Sequence, residues 1–150
     1  MGQSWGANAA AIGPVGLNNN ASVACPAATY TTALAYGYAQ SPLPVYAPSP
    51  ASYNGMLSGF IPVTLGATPP TALSIYFCLV SGTGLALLSV PTANLTASAN
   101  LMVPLGLAFN IPTSNGGPTQ WTLLVQVYPV AQAVTVPTFN NGCSVMIFPA

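Results

Sequence analysis

The side chains here that could take part in covalent or proton-transfer chemistry are three cysteines, Cys25, Cys78 and Cys143, and seven tyrosines. Asp, Glu, Lys, Arg and His are absent from all 150 residues. General acid–base catalysis needs a group that titrates near working pH, which leaves Cys, Tyr and the chain termini. A serine nucleophile needs a base, and a cysteine nucleophile needs a His or a cationic environment to lower its pKa. The sequence supplies neither. Hard cations require carboxylates and soft ones require clustered Cys or His; with no Cys-x-x-Cys pair, a zinc site has no basis. Ser81-Gly82-Thr83-Gly84 is glycine-rich but lacks the lysine of a phosphate loop. The expectation is a protein that is not an enzyme and takes no cofactor and no metal.

The same absence limits the partners. Nucleic acid is held chiefly by Lys and Arg on phosphates, and anionic membranes by basic residues, so neither is expected to bind. An ordinary soluble domain is about 25% charged, so a chain with none has been selected against ionisable groups. A net charge of zero also removes the repulsion that keeps folded proteins apart. The opening MGQSWGANAA has no basic region followed by an apolar one, so no signal peptide is expected. With an odd cysteine count, the thiols are expected to be free, buried and acting as small hydrophobes; one disulfide with a spare thiol is the alternative. Asn20-Ala21-Ser22 and Asn94-Leu95-Thr96 are glycosylation acceptors, relevant only to an exported chain.

The elements that must position these groups read as strands. In Trp121–Val130, residues Trp121, Leu123, Val125 and Val127 share one face and Thr122, Leu124, Gln126 and Tyr128 the other. This period-2, β-branched and aromatic pattern predicts a central strand of a sandwich. Tyr30–Tyr38 and Leu101–Phe109 alternate in the same way. Leu57–Leu65 also alternates, with Leu57, Ile61, Val63 and Leu65 on one side, and Pro62 predicts an edge strand or a bulge. Thr71–Val90 is long enough for a membrane span, but its central Ser81–Gly84 and its alternation predict two strands joined by a turn. Pro42, Pro44, Pro48 and Pro50 predict a stiff crossover over Ser41–Ser52. Residues 110–120 read as a polar loop. Val134–Phe139 and Cys143–Phe148 read as a closing hairpin around Asn140-Asn141-Gly142.

The fold class expected is all-β, an antiparallel β-sandwich or jelly roll of about eight strands with an extended N-terminal arm. Residues 1–28 form the arm and residues 29–150 the sandwich. Ala, Gly and Asn dominate the arm, which is either a disordered terminus or a segment that orders against a neighbouring subunit through Trp5, Ile12, Val15 and Leu17. What remains for function is shape, apolar contact and backbone hydrogen bonding. The leading expectation is a structural virion protein, a capsid decoration (cement) protein or small capsid subunit on the virion surface. Its partners would be copies of itself, with a homo-oligomer and a trimer favoured, and a major capsid protein. The alternative is a subunit of an extracellular filament or surface layer assembled by strand exchange. A carbohydrate-binding module, using Trp5, Trp121 and the tyrosines, comes third.

Overall fold

The computed structural model describes residues 12–38, 52–79, 84–112 and 121–149. Their strands are β1 (Ile12–Asn19), β2 (Val23–Cys25), β3 (Thr31–Tyr38), β4 (Ser52–Leu65), β5 (Ala72–Leu79), β6 (Gly84–Ser89), β7 (Asn100–Pro112), β8 (Trp121–Val130), β9 (Val134–Val136) and β10 (Phe139–Pro149). A 3-10 turn, Thr92–Asn94, precedes β7. Among the described residues no helix is long and apolar enough to cross a membrane.

The strands form two antiparallel sheets. The smaller runs β3-β8-β5-β6, and the larger runs β1-β10-β4-β9-β2 with β7 on the other side of β4. In the larger sheet β10 and β9 lie end to end along β4, on Tyr53–Gly59 and Thr64–Leu65. β1 and β2 lie end to end against them in turn. The larger sheet is therefore four columns wide, like the smaller one. The eight columns pair in nested fashion: β1/β2 with β9/β10, β3 with β8, β4 with β7 and β5 with β6. That is one long hairpin folded over on itself, the jelly-roll form of a β-sandwich.

Both broken columns are interrupted at the same level. Pro137 cannot donate to a ladder, and Asn19, buried there, donates its Nδ2 to the Pro137 carbonyl at 3.4 Å. Its Oδ1 accepts from the Ala21 backbone N–H at 3.3 Å. One carboxamide thus satisfies groups on both interruptions, which an unpaired buried backbone requires.

The core lies between the sheets and follows the alternation of each strand. Leu73, Ile75 and Phe77 of β5 and Leu123, Val125 and Val127 of β8 face Leu57, Ile61 and Val63 of β4, all buried. Each such side chain contributes about 1.5–3 kcal/mol by leaving water. Phe77 and Phe109 meet across the two sheets with ring centroids 4.8 Å apart. The Phe109 ring lies directly over Gly55, its partner in the β4–β7 ladder, where any β-carbon would strike it. Gly59, at φ 104°, bends β4 where it crosses Gly142 of β10, and a side chain there would meet the Gly142 carbonyl.

Several expectations hold. β3, β5, β6, β7 and β8 appear where alternation placed them, and β8 is central, between β3 and β5. Pro104 sits on β7, which pairs only with β4 among the described strands, so its missing N–H is tolerated at an edge.

Others are corrected. β4 is interior, not an edge: it has β7 on one side and β10 and β9 on the other. Pro62 is accommodated because it falls in the interval Phe60–Val63, between the β10 and β9 ladders. The closing hairpin around Asn140–Gly142 does not form. Those residues lie within β10, since β9 and β10 both run along β4 instead of folding back on each other.

The arm of residues 1–28 is also redrawn. Ile12–Asn19 pairs with β10 and Val23–Cys25 with β9 of the same chain, so the boundary at residue 29 divides nothing. Gly13, Pro14 and Gly16 hide the alternation of β1, and its partner is far away in sequence. Asn110–Pro112, expected in the polar loop, instead continue β7 along β4, while residues 1–11, the proline-rich crossover up to residue 51, Ser81-Gly82-Thr83 and residues 113–120 lie outside the described residues.

Candidate assembly surface

The outer faces of the two sheets are where an uncharged chain must meet its surroundings. On the larger sheet the outward positions form rows across the strands. Met146, Met56 and Ala108 are direct cross-strand partners and all exposed, Met56 at 43% and Met146 at 36%. The next row is Gly16, Ser144, Ser58 and Gly106, all small. Beyond it come Phe60 beside Pro104 and then Pro62 beside Met102, with Phe60 at 48% and Met102 at 59% exposure.

The polar side chains on this face are tied to one another in the plane of the sheet. The Ser58 and Ser144 hydroxyls lie 3.4 Å apart. Asn110 donates Nδ2 to Asn54 Oδ1 at 3.1 Å, and Thr64 donates its hydroxyl to Asn100 Oδ1 at 3.2 Å. An antiparallel sheet with one wet face ordinarily carries polar residues outward. Here methionine, phenylalanine and proline take those places, and the amides and hydroxyls between them already have partners.

The smaller sheet is finished differently. Ala28, at φ 54°, donates its backbone N–H to the Pro129 carbonyl at 2.8 Å and so folds the loop before β3 over the end of β8. That lays the Tyr30 ring against Tyr128 and Tyr76, with centroids at 4.4 and 5.4 Å. Beside them Gln126 donates Nε2 to the Thr32 hydroxyl at 3.3 Å and accepts from the Cys78 thiol at 3.6 Å. Tyr30 itself stays exposed, as do Val130 at the end of β8 and Leu87 on the edge strand β6.

Among the described residues the thiols stand apart from one another, each within its own strand. Cys25, Cys78 and Cys143 are free and buried. Burial pushes all three thiols up, Cys143 to about 11, the reverse of what a nucleophile needs. Among the described residues no three His, Cys, Asp or Glu side chains come together. A cavity of about 150 Å³ between β6 and β7 is lined mainly by Leu88, Val90, Pro91, Leu101 and Val103, with Asn94 as a polar neighbour. Asn20 and Asn94, the two glycosylation acceptors, are both exposed.

The four residues expected to make assembly contacts are placed as follows. Trp5 lies outside the described residues. Ile12 and Val15 are in β1, paired with Ile147 and Val145. Leu17 is 6% exposed and packs into the chain's own core, opposite Cys143. It is therefore an internal contact, because β1 is the outer column of the larger sheet and its inward side chains close the sandwich. The apolar face of β4, β7 and β10 was not singled out from sequence. Its signal was present, since placing Leu57, Ile61 and Val63 inward leaves Met56, Phe60 and Pro62 outward.

No family model matches the sequence, and no curated protein matches it. Among solved structures, dimeric latent PorU from Porphyromonas gingivalis is similar at a TM-score of 0.38 and 10% identity, over 94% of this chain and 13% of that one. VP2 of infectious bursal disease virus is similar at 0.35 and 11% identity, over 90% of this chain and 35% of that one. The C-terminal domain of EclA, a sugar-binding protein, is similar at 0.33 and 9% identity, over 90% of this chain and 76% of that one. The chain thus spans well under half of the first two. Scores this low carry no argument about function, and the fold rests on the strand pairing itself.

Proposed function

We propose that this chain is a non-catalytic structural subunit of a virion, a decoration or small capsid protein assembled in many copies on the particle surface. The observation that supports the reading is the outer face of the larger sheet. It is uncharged and largely apolar, and Ser58, Ser144, Asn54, Asn110, Thr64 and Asn100 on it are hydrogen-bonded to one another. Such a face is covered at little cost, because no charge and few free donors lose water. The jelly roll suits the role, being an architecture shared by capsid proteins, lectins and cupins, though a fold alone assigns no function. Copies of the chain and a major capsid protein are the partners, with a trimer as the expected unit on the capsid.

Immunogold electron microscopy, with antibody raised against the recombinant chain, tests this on cultures of the source. Regular label on isometric particles is the expected result. Label along filaments or on cell envelopes would replace this reading with an extracellular filament or surface-layer subunit. Label on no assembled structure would overturn both.

A further inference from the structure

The rows on the larger sheet have a relief that suits one particular occupant. In the row Met146, Met56, Ala108 the two methionines form a ridge over β10 and β4 that falls away at Ala108 on β7. The row Gly16, Ser144, Ser58, Gly106 beside it is a trough. A β-carbon added at Gly106 would meet nothing within 4 Å, so the trough is open at that end. The trough lies midway between the Met56 row and the Phe60 row, four residues or about 13.6 Å apart along the strand, which is enough for a methionine side chain to lie in it.

From this relief we infer that the face is a two-fold contact with a second copy of the same chain, an inference that rests on the assembly reading above. The absence of charge selects the occupant. An ordinary protein surface is about 25–35% charged, and docking one here would bury charges with nothing to pair them. Another copy has no Asp, Glu, Lys, Arg or His anywhere. A two-fold contact must also be self-complementary. A two-fold axis lying in the interface, across the strands and midway between ridge and trough, exchanges those rows. Met56 of each copy then lies over Ser58 of the other, Met146 over Ser144 and Ala108 over Gly106. The sheets stack at about 10 Å, as sheets in sandwiches do. Such a contact joins copies in pairs and leaves the rest of the surface free for a threefold contact.

The register makes a prediction opposite to that of a mere sticky patch. Ser58→Met adds apolar area but places methionine against methionine across the two-fold. It should weaken self-association about tenfold or more, the scale of an overpacked contact. Met56→Ser combined with Ser58→Met exchanges ridge and trough on β4 in both copies and should restore association. Gly106→Leu fills the trough without touching its own chain and should weaken association to a similar degree. Sedimentation velocity over a concentration series, with circular dichroism to establish folding, reads all three. Weakening by Ser58→Met and Gly106→Leu with recovery in the exchange variant supports the proposal. Unchanged or tighter association in Ser58→Met or Gly106→Leu overturns the contact but leaves the assembly reading standing. A wild-type chain that stays monomeric throughout overturns both.

Discussion

On the smaller sheet Tyr30 is folded down onto Tyr76 and Tyr128, and Gln126 is held between Thr32 and Cys78. On the larger sheet Met56, Phe60, Met102 and Met146 project from β4, β7 and β10 as exposed side chains, and only the polar groups between them are tied down. Both faces draw on the same uncharged set of residues. One stacks Tyr30 of its own loop on Tyr76 and Tyr128, with Tyr30, Val130 and Leu87 still exposed, and the other presents a continuous set of exposed side chains in Met56, Met146, Phe60 and Met102.

The largest effect expected concerns what holds the larger sheet in shape. Gly59 combines a left-handed φ of 104° with close approach to Gly142 of β10. Gly59→Ala should destabilise the fold by about 2–4 kcal/mol, adding backbone strain to a clash, measured by urea unfolding. Among the described residues of the smaller sheet no glycine combines a left-handed φ with such an approach, so Ser74→Ala at its ladder position should fall within about 0.5 kcal/mol of wild type. Equal effects would show that the two sheets are not built differently.

A smaller effect is expected at the tyrosines. Tyr30→Ala removes two ring contacts and should cost about 1–2 kcal/mol of stability while leaving self-association unchanged. If association fell and stability did not, the tyrosine cluster would be the contact surface and the contrast between the faces would reverse.

The smallest effect concerns pH and bears on both faces alike. No side chain titrates between about pH 4.5 and 7, so the thermal midpoint should be flat there and insensitive to screening by salt. The buried thiols set the alkaline limit. Their folded pKa values are raised above the ordinary 9.0, Cys143 to about 11. The unfolded chain therefore loses those protons first, and stability, full below pH 9, declines as pH rises towards 11. A midpoint that fell between pH 7 and 5 would contradict this.

Much of the architecture was legible where alternation is uninterrupted. Leu73, Ile75 and Phe77, and Leu123, Val125 and Val127, announced β5 and β8 and their buried faces. β1 was not legible, because Gly13, Pro14 and Gly16 break its pattern and its pairing comes from β10, at the other end of the chain. Asn140-Asn141-Gly142 has good turn chemistry but falls at the irregularity of the β1–β10 ladder, between the pairs Asn19–Phe139 and Leu17–Cys143, and stays within β10 because both flanks pair with β1, which a local reading does not contain. The candidate surface was half legible. Its inward half was read from Leu57, Ile61 and Val63, whereas its outward half needed the pairing that sets Met146 beside Met56. Leu17, expected outside, went inside for the same reason.

The central claim is that the larger sheet's outer face, and not the smaller sheet's, is where copies meet. Sedimentation velocity of the double variant Met56→Lys, Met146→Lys, beside wild type and Tyr30→Ala, tests it most directly. Both methionines are exposed in the single chain, so the variant should keep the wild-type circular dichroism spectrum. The account predicts that the double variant, still folded, loses the two-fold contact and sediments as a smaller species than wild type and Tyr30→Ala at the same concentration. A double variant that associates as wild type does would contradict it.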